Sequence, residues 1–334
     1  MGYLRLFLAY MVLISHLQIK IFGLNPGVPA VVCFYILAGH VIRRLLTRIF
    51  PNNVSGFYKD RILRIFPLYW FTASVTLLFL IITKFGEPKI NLYNLALNYS
   101  IIPLNYYMYV GKYIAIITTD IGKWWLIPPA WSLGAEVQVY FLMPFLLSKK
   151  YLFWVSLLGS LGIYTLANLG VLHPDYFGYR LVPGIIFMFL LGAMLENITR
   201  GNASRGEKGV LVGIYLFLAF YFVVMILVKK AYCAFTRETL LGILTGVPVI
   251  WFILKTEKKK SWLNKLCGNL SYGIFLSHFL GIWLWKWLHL RGIFIASGIW
   301  QELLFVSVVS FLVAFVGVWG VEKKVERIRF KGKI

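Results

Sequence analysis

Long apolar runs, each near 20 residues, alternate along this chain with short clusters of Lys, Arg, Gly and Pro. A helix of about 20 apolar residues crosses a hydrocarbon core about 30 Å thick, so the pattern predicts transmembrane helices. Ten segments qualify: about 3–23, 26–46, 65–84, 130–148, 151–169, 180–198, 210–228, 238–254, 266–286 and 299–320. The predicted fold is an all-α polytopic membrane protein. Residues 1–322 form the membrane domain and 323–334 a basic tail.

Composition agrees: 60% of residues are hydrophobic and 14% charged, against about 45–50% and 25% in a soluble domain. The net charge of +22 would suggest nucleic acid in a soluble protein. In a membrane protein Lys and Arg concentrate instead in cytoplasmic loops facing anionic lipid, so no nucleic-acid partner is expected. With the N-terminus in the cytoplasm, 23 of the 34 Lys and Arg fall on the cytoplasmic side. Both termini are therefore expected there. Cys33, Cys233 and Cys267 form no CxxC and read as packing residues.

Between the third and fourth spans, Asn91, Asn94, Asn98, Pro103 and Asn105 interrupt an otherwise apolar stretch. Against lipid such residues are costly, and a further span here would invert every later basic loop. Residues 85–129 are therefore expected to form an external re-entrant segment or lid. The first 19 residues have one basic residue and no small-residue cleavage site, which favours a first span over a signal peptide.

Ionisable residues within spans are expensive and mark candidate chemistry. Arg5 and His16 are eleven residues apart; at about 100° per residue they share a helix face, three turns apart. His16 is expected about 20 Å from the cytoplasmic surface and Glu136 about 9 Å below the outer one, which puts the two at one level of a bilayer core about 30 Å thick. An imidazole and a carboxylate there make a general base and its partner; a polar pair sealing helix packing is the plainer alternative. Arg61 and Arg64, at i and i+3 near the cytoplasmic surface, are either a forked phosphate clamp or lipid-facing anchors. Arg43 and Arg44 are grouped with them on the donor side. Ser271, Tyr272, Ser277 and His278 lie in the ninth span, and His278 either lines the same cavity or is a packing histidine. His40 and His289 read as interface residues, and His173 lies in an external loop. No HExxH or HxH spacing occurs, so no catalytic metal is expected. Trp124, Trp125 and Trp131 read mainly as interface belt.

At these residues the sequence resembles the acyltransferase-3 family of integral membrane acyltransferases. Leu4-Arg5 with Ser15-His16-Leu17 is similar to its Arg-x10-His first span, and Phe34-Tyr35-Ile36-Leu37-Ala38-Gly39-His40 to its second. Phe57-Tyr58 with Arg61-x-x-Arg64 resembles its Arg-x-x-Arg motif. Trp131-Ser132-Leu133-Gly134-Ala135-Glu136-Val137-Gln138-Val139-Tyr140 resembles its WSL-x-x-E-x-Q-x-Y helix, and Leu270-Ser271-Tyr272-Gly273 with His278 its late span. Ala38 and His40 depart from the usual Ser and Phe, and Val137 stands where many members have a second Glu.

The resemblance implies a bacterial inner-membrane enzyme without a bound cofactor. It would move an acyl group, acetyl by default and succinyl as an alternative, from cytosolic acyl-CoA to a hydroxyl of a surface or secreted glycan or lipid-linked oligosaccharide. His16 would be its essential base or transient acyl carrier, with Arg5 and Glu136 beside it and Arg61, Arg64, Arg43 and Arg44 toward the donor. His278, Tyr272, Trp131, Ser132 and Gln138 are cavity candidates. No fused SGNH hydrolase domain is visible, so a separate extracytoplasmic acyltransferase is a possible partner. A polysaccharide or lipid-linked sugar flippase is the rival reading, but no internal repeat is evident. A polyprenyl-phosphate-sugar glycosyltransferase fits less well, because the loop near Gly23 to Pro26 has no carboxylate.

Overall fold

The computed structural model describes residues 1–119, 122–230, 233–256, 261–293 and 298–330. Lys258 to Lys260 of the basic loop, and Lys331 and Lys333 of the tail, lie outside the described residues. The chain is helical almost throughout, and each of the ten expected spans is a helix. In order these are α1 (Gly2–His16), α2 (Gly27–Arg44), α3 (Val54–Thr83), then α4 (Leu92–Tyr99), α5 (Ile102–Asn105) and α6 (Tyr107–Ile114). A two-stranded hairpin follows, β1 (Ile117–Thr119) with β2 (Gly122–Trp124). The chain continues through α7 (Trp131–Ser148), α8 (Lys150–Asn168), α9 (Val182–Thr199), α10 (Arg205–Leu227), α11 (Thr236–Thr256), α12 (Trp262–Leu290), α13 (Ile299–Gly317) and α14 (Lys323–Phe330).

Among the described residues, eight helical segments are long and apolar enough to cross a membrane. The protein is a polytopic helical membrane protein. Large apolar side chains such as Leu216, Phe220, Leu304 and Leu312 stay exposed along α10 and α13, as lipid-facing positions do. Of the other two expected spans, α12 has 29 residues and carries the polar Ser271, Ser277 and His278.

The first span differs from expectation. The apolar run reaches residue 23, but α1 stops at His16 after 15 residues. Gln18 adopts a left-handed backbone with φ 62°, and the amides of Leu17, Gln18 and Ile19 turn back onto Leu13, Ser15 and Ile14. That is how a helix closes its last turn. His16 therefore sits at a helix end, and the apolar Phe22 beyond it is exposed.

The chain divides into two compact units, with the divisions falling inside α3 and α7. One comprises Lys20–Tyr58 and Ala135–Lys260; the other comprises Gly2–Ile19, Lys59–Gly134 and Ser261–Ile334. In the first unit α9 is the central helix, with every residue from Gly184 to Glu196 buried. It crosses α2 at a glycine contact. A Cβ on Gly192 would strike the Ile36 carbonyl, and one on Gly39 the Phe189 carbonyl. Small residues allow such close approach of membrane helices. Gly192→Val is accordingly expected to destabilise the fold by about 1–3 kcal/mol, read as a lower midpoint of thermal unfolding in detergent. Gly162→Ala, which meets open space inside α8, should not lower the midpoint, because alanine is the better helix former.

In the second unit α1 and α13 flank α12, and the segment between α3 and α7 folds as α4, α5, α6 and the hairpin. Its asparagines are structural. Asn91 and Asn94 cap α4 reciprocally. The Asn94 amide also donates to Lys89 O at 2.7 Å. Fully buried Asn98 donates to Ile114 O at 2.8 Å and accepts from the Leu126 amide at 2.8 Å, while Asn105 donates to Trp131 O at 3.2 Å. Buried amides satisfied in this way cost little, which is how so polar a segment sits among apolar helices.

Candidate functional site

His16 and His278 meet in the second unit. His278 Nε2 lies 3.2 Å from His16 Nδ1, with ring centroids 5.0 Å apart. His16 Nδ1 also lies 2.9 Å from the Val12 carbonyl. Each histidine projects from a long helix, His16 from the last turn of α1 and His278 from the middle of α12. His278 and Ser277 are fully buried. Phe279 stands edge-on to His16 at 4.9 Å and packs against Trp124 of the hairpin at 5.5 Å. The segment between α3 and α7 thus packs a ring against the phenylalanine that covers His16. An imidazole in such an aromatic enclosure works in a poorly hydrated setting, where proton transfer and positioning are most effective.

Arg5 lies eleven residues before His16 on α1, about 16 Å along the helix axis and on nearly the same face. There it joins a dense charge cluster. Arg5, Arg61 and Arg329 are all close enough to Arg64 for their charges to act on it. Arg61 pairs with Asp60 and Arg64 with Glu322. Arg329 reaches the second Asp60 oxygen through Nη2 at 3.1 Å and Nε at 3.2 Å. The Arg64 guanidinium lies 5.8 Å from the centre of the Tyr272 ring, and the Tyr272 hydroxyl donates to Ile65 O at 3.0 Å. Arg61 is 8% exposed. A snorkelling lipid anchor would be exposed instead. Four guanidiniums with two carboxylates leave an excess of positive charge in a fixed frame. Forked donors of that kind suit phosphate groups.

The remaining candidates fall elsewhere. Trp131 and Ser132 are buried at the start of α7, where the Ser132 hydroxyl donates to Pro129 O at 3.0 Å. Glu136 belongs to the first unit and accepts a hydrogen bond from the Tyr140 hydroxyl one turn on. Gln138 is half-buried on the same helix. Arg43 and Arg44 also belong to the first unit, and Arg61 and Arg64 to the second. Arg43 bonds Asn197 at 3.2 Å and lines a cavity of about 250 Å³ with Lys150, Trp154 and Glu207.

His40 is a correction to the sequence reading: it is 3% exposed, not an interface residue, and its Nδ1 lies 3.1 Å from the buried carboxylate of Glu196. Arg48 and Arg200 approach the same carboxylate, so the charge of Glu196 is compensated within the unit. The three cysteines are free, and Cys233 and Cys267 are only half-buried, unlike Cys33. Among the described residues no three His, Cys, Asp or Glu side chains converge as a metal-ligand set.

The family model for the acyltransferase domain of this membrane group matches residues 1–319. The chain belongs to the acyltransferase-3 family. A relative from Aquifex aeolicus (strain VF5), described only as an uncharacterized protein, is 48% identical over 227 residues, covering 67% of this chain and 98% of that one. No solved structure matches. Membership of the acyltransferase-3 family makes this a multi-pass membrane acyltransferase. The matched span contains Arg5, His16, Arg61, Arg64, Glu136 and His278, whereas Glu322 and Arg329 lie beyond it.

Sequence reasoning missed Asp60, Glu322 and Arg329. The chain has only 12 acidic residues against 34 basic ones, so an acid beside a span end was itself a signal that a partner base is near.

Proposed function

We propose that this acyltransferase-3 protein takes an acyl group, most simply acetyl, from acyl-CoA at the cytoplasmic face of a bacterial inner membrane. It delivers the group to a hydroxyl of a surface or secreted glycan such as O-antigen, capsule or exopolysaccharide. The observation that carries the reading is that α1 joins the arginine cluster at Arg5 to the histidine pair at His16. The about 16 Å between them is a length that an extended pantetheine arm covers. In this account the CoA phosphates bind the guanidiniums of Arg61 and Arg64, and the thioester end lies at His16.

His16 then acts in one of two balanced ways. As a general base it takes the proton of the acceptor hydroxyl while that oxygen attacks the thioester carbonyl; the C–S bond breaks, and the proton passes to the CoA thiolate. As a carrier its Nε2 attacks the carbonyl, the C–S bond breaks and CoA leaves as the thiolate; the acceptor oxygen then attacks the acyl-imidazole, the C–N bond breaks, and the hydroxyl proton passes to the CoA thiolate. Phe279 and Trp124 limit water that would otherwise hydrolyse the thioester.

The test is purified protein in lipid vesicles loaded with the candidate glycan and given radiolabelled acetyl-CoA. Release of CoA-SH together with label on the glycan is the expected result. CoA release without transfer to any hydroxyl acceptor, or no reaction with acyl-CoA at all, contradicts the reading.

A further inference from the structure

Three contacts around the histidine pair assign its protons. His16 Nδ1 is 2.9 Å from the Val12 carbonyl and 3.2 Å from His278 Nε2, and His278 Nδ1 is 3.4 Å from the Ile274 carbonyl. A carbonyl oxygen only accepts, so the nitrogen facing it must carry hydrogen, and a neutral imidazole has one N–H donor and one acceptor nitrogen. His278 must then hold its proton on Nδ1, toward Ile274, leaving the Nε2 lone pair aimed at His16. His16 in turn must hold its proton on Nδ1, shared between Val12 O and His278 Nε2. The reverse arrangement sets two lone pairs against two carbonyl oxygens at hydrogen-bond distance. Only the Nδ1–H form of both rings satisfies all three contacts.

We infer that His278 is a positioning residue for His16. Its lone pair fixes the Nδ1–H tautomer and the ring orientation of His16, so that Nε2 of His16 is the nitrogen that reacts. This rests on the reading of His16 as the base or carrier. When Nε2 takes the acceptor's proton, or the acyl group, the ring becomes cationic and its Nδ1–H donates more strongly to His278. His278 thereby does for His16, without a charge, what an orienting carboxylate does in other triads. Its complete burial suits a neutral group, because a carboxylate at that place would carry a desolvation cost.

Partners that orient a metal-bound histidine change affinity or activity about 10–100-fold when removed, and an effect of that size is expected here. His278→Leu should lower kcat by about that factor with the KM for acetyl-CoA unchanged. His278→Gln, which keeps a neutral acceptor near the Nε2 position, should recover most of the rate. On wild-type protein with ring-15N-labelled histidine, the His16 signals, identified by their loss in His16→Ala, should show a protonated Nδ1 and an unprotonated Nε2. A protonated Nε2 on His16 overturns the inference. So does equal activity of His278→Leu and wild type, or equal impairment of the Leu and Gln variants, which would make His278 a packing residue. Failure of the underlying reading is separate: it appears as His16→Ala retaining activity, whatever tautomer the spectrum reports.

Discussion

His16→Ala is expected to abolish acyl transfer while leaving expression, helicity and acyl-CoA binding intact. Loss of a general base or nucleophile ordinarily costs about 10²-fold or more in rate. The side chain stands at the C-terminal end of α1, where truncation leaves the helix's packing against α12 in place along the rest of its length. His278→Leu should cost less than His16→Ala, because a positioning residue modulates a reacting group that remains. Steady-state rates of CoA-SH release in vesicles give the comparison. If His16→Ala keeps more than about a tenth of wild-type turnover, His16 neither moves the proton nor carries the acyl group.

The second large effect is expected at the arginine cluster. Arg61→Lys and Arg64→Lys preserve charge beside Asp60 and Glu322 but lose the planar fork. A bidentate phosphate grip should therefore weaken, while the ion pairs that hold the fold should persist. Lysine is the informative replacement, since Arg64→Ala would remove the partner of the buried Glu322 carboxylate, a change that costs about 3–5 kcal/mol. Acyl-CoA affinity, measured by titration calorimetry on detergent-solubilised protein, should fall about tenfold or more, corresponding to about 1.4 kcal/mol, with kcat little changed at saturating donor. Unchanged affinity in both variants would make the cluster a structural ion-pair network.

Much of this arrangement was legible in the sequence, for physical reasons. Spans declare themselves because lipid requires unbroken apolar helices, and Arg5 and His16 share a face because helical geometry is periodic. The polar stretch around Asn94 and Asn98 announced that it needed partners, and its amides find them in backbone carbonyls. The end of α1 was hidden because it depends on the left-handed backbone of Gln18, a non-glycine residue that no composition rule marks. The sequence left His278 between a place in the cavity of His16 and a packing role, because the two lie in the first and twelfth helices; only tertiary packing brings residue 278 to residue 16. Arg329 looked like one more basic residue in a cytoplasmic tail, yet its guanidinium bonds Asp60. His40 likewise looked interfacial, yet the Glu196 carboxylate lies 3.1 Å from its buried Nδ1.

In the proposed mechanism donor and acceptor meet His16 from opposite sides of the membrane. Carrying CoA itself through the core would cost several kcal/mol per desolvated charge, whereas inserting a neutral thioester end does not. The direct measurement uses sealed inside-out and right-side-out vesicles carrying the protein, with glycan trapped in the lumen and labelled acetyl-CoA added outside. Inside-out vesicles should consume the donor and label the lumenal glycan, and right-side-out vesicles should do neither. Label appearing only on glycan exposed to the same side as the CoA would contradict transfer through the membrane.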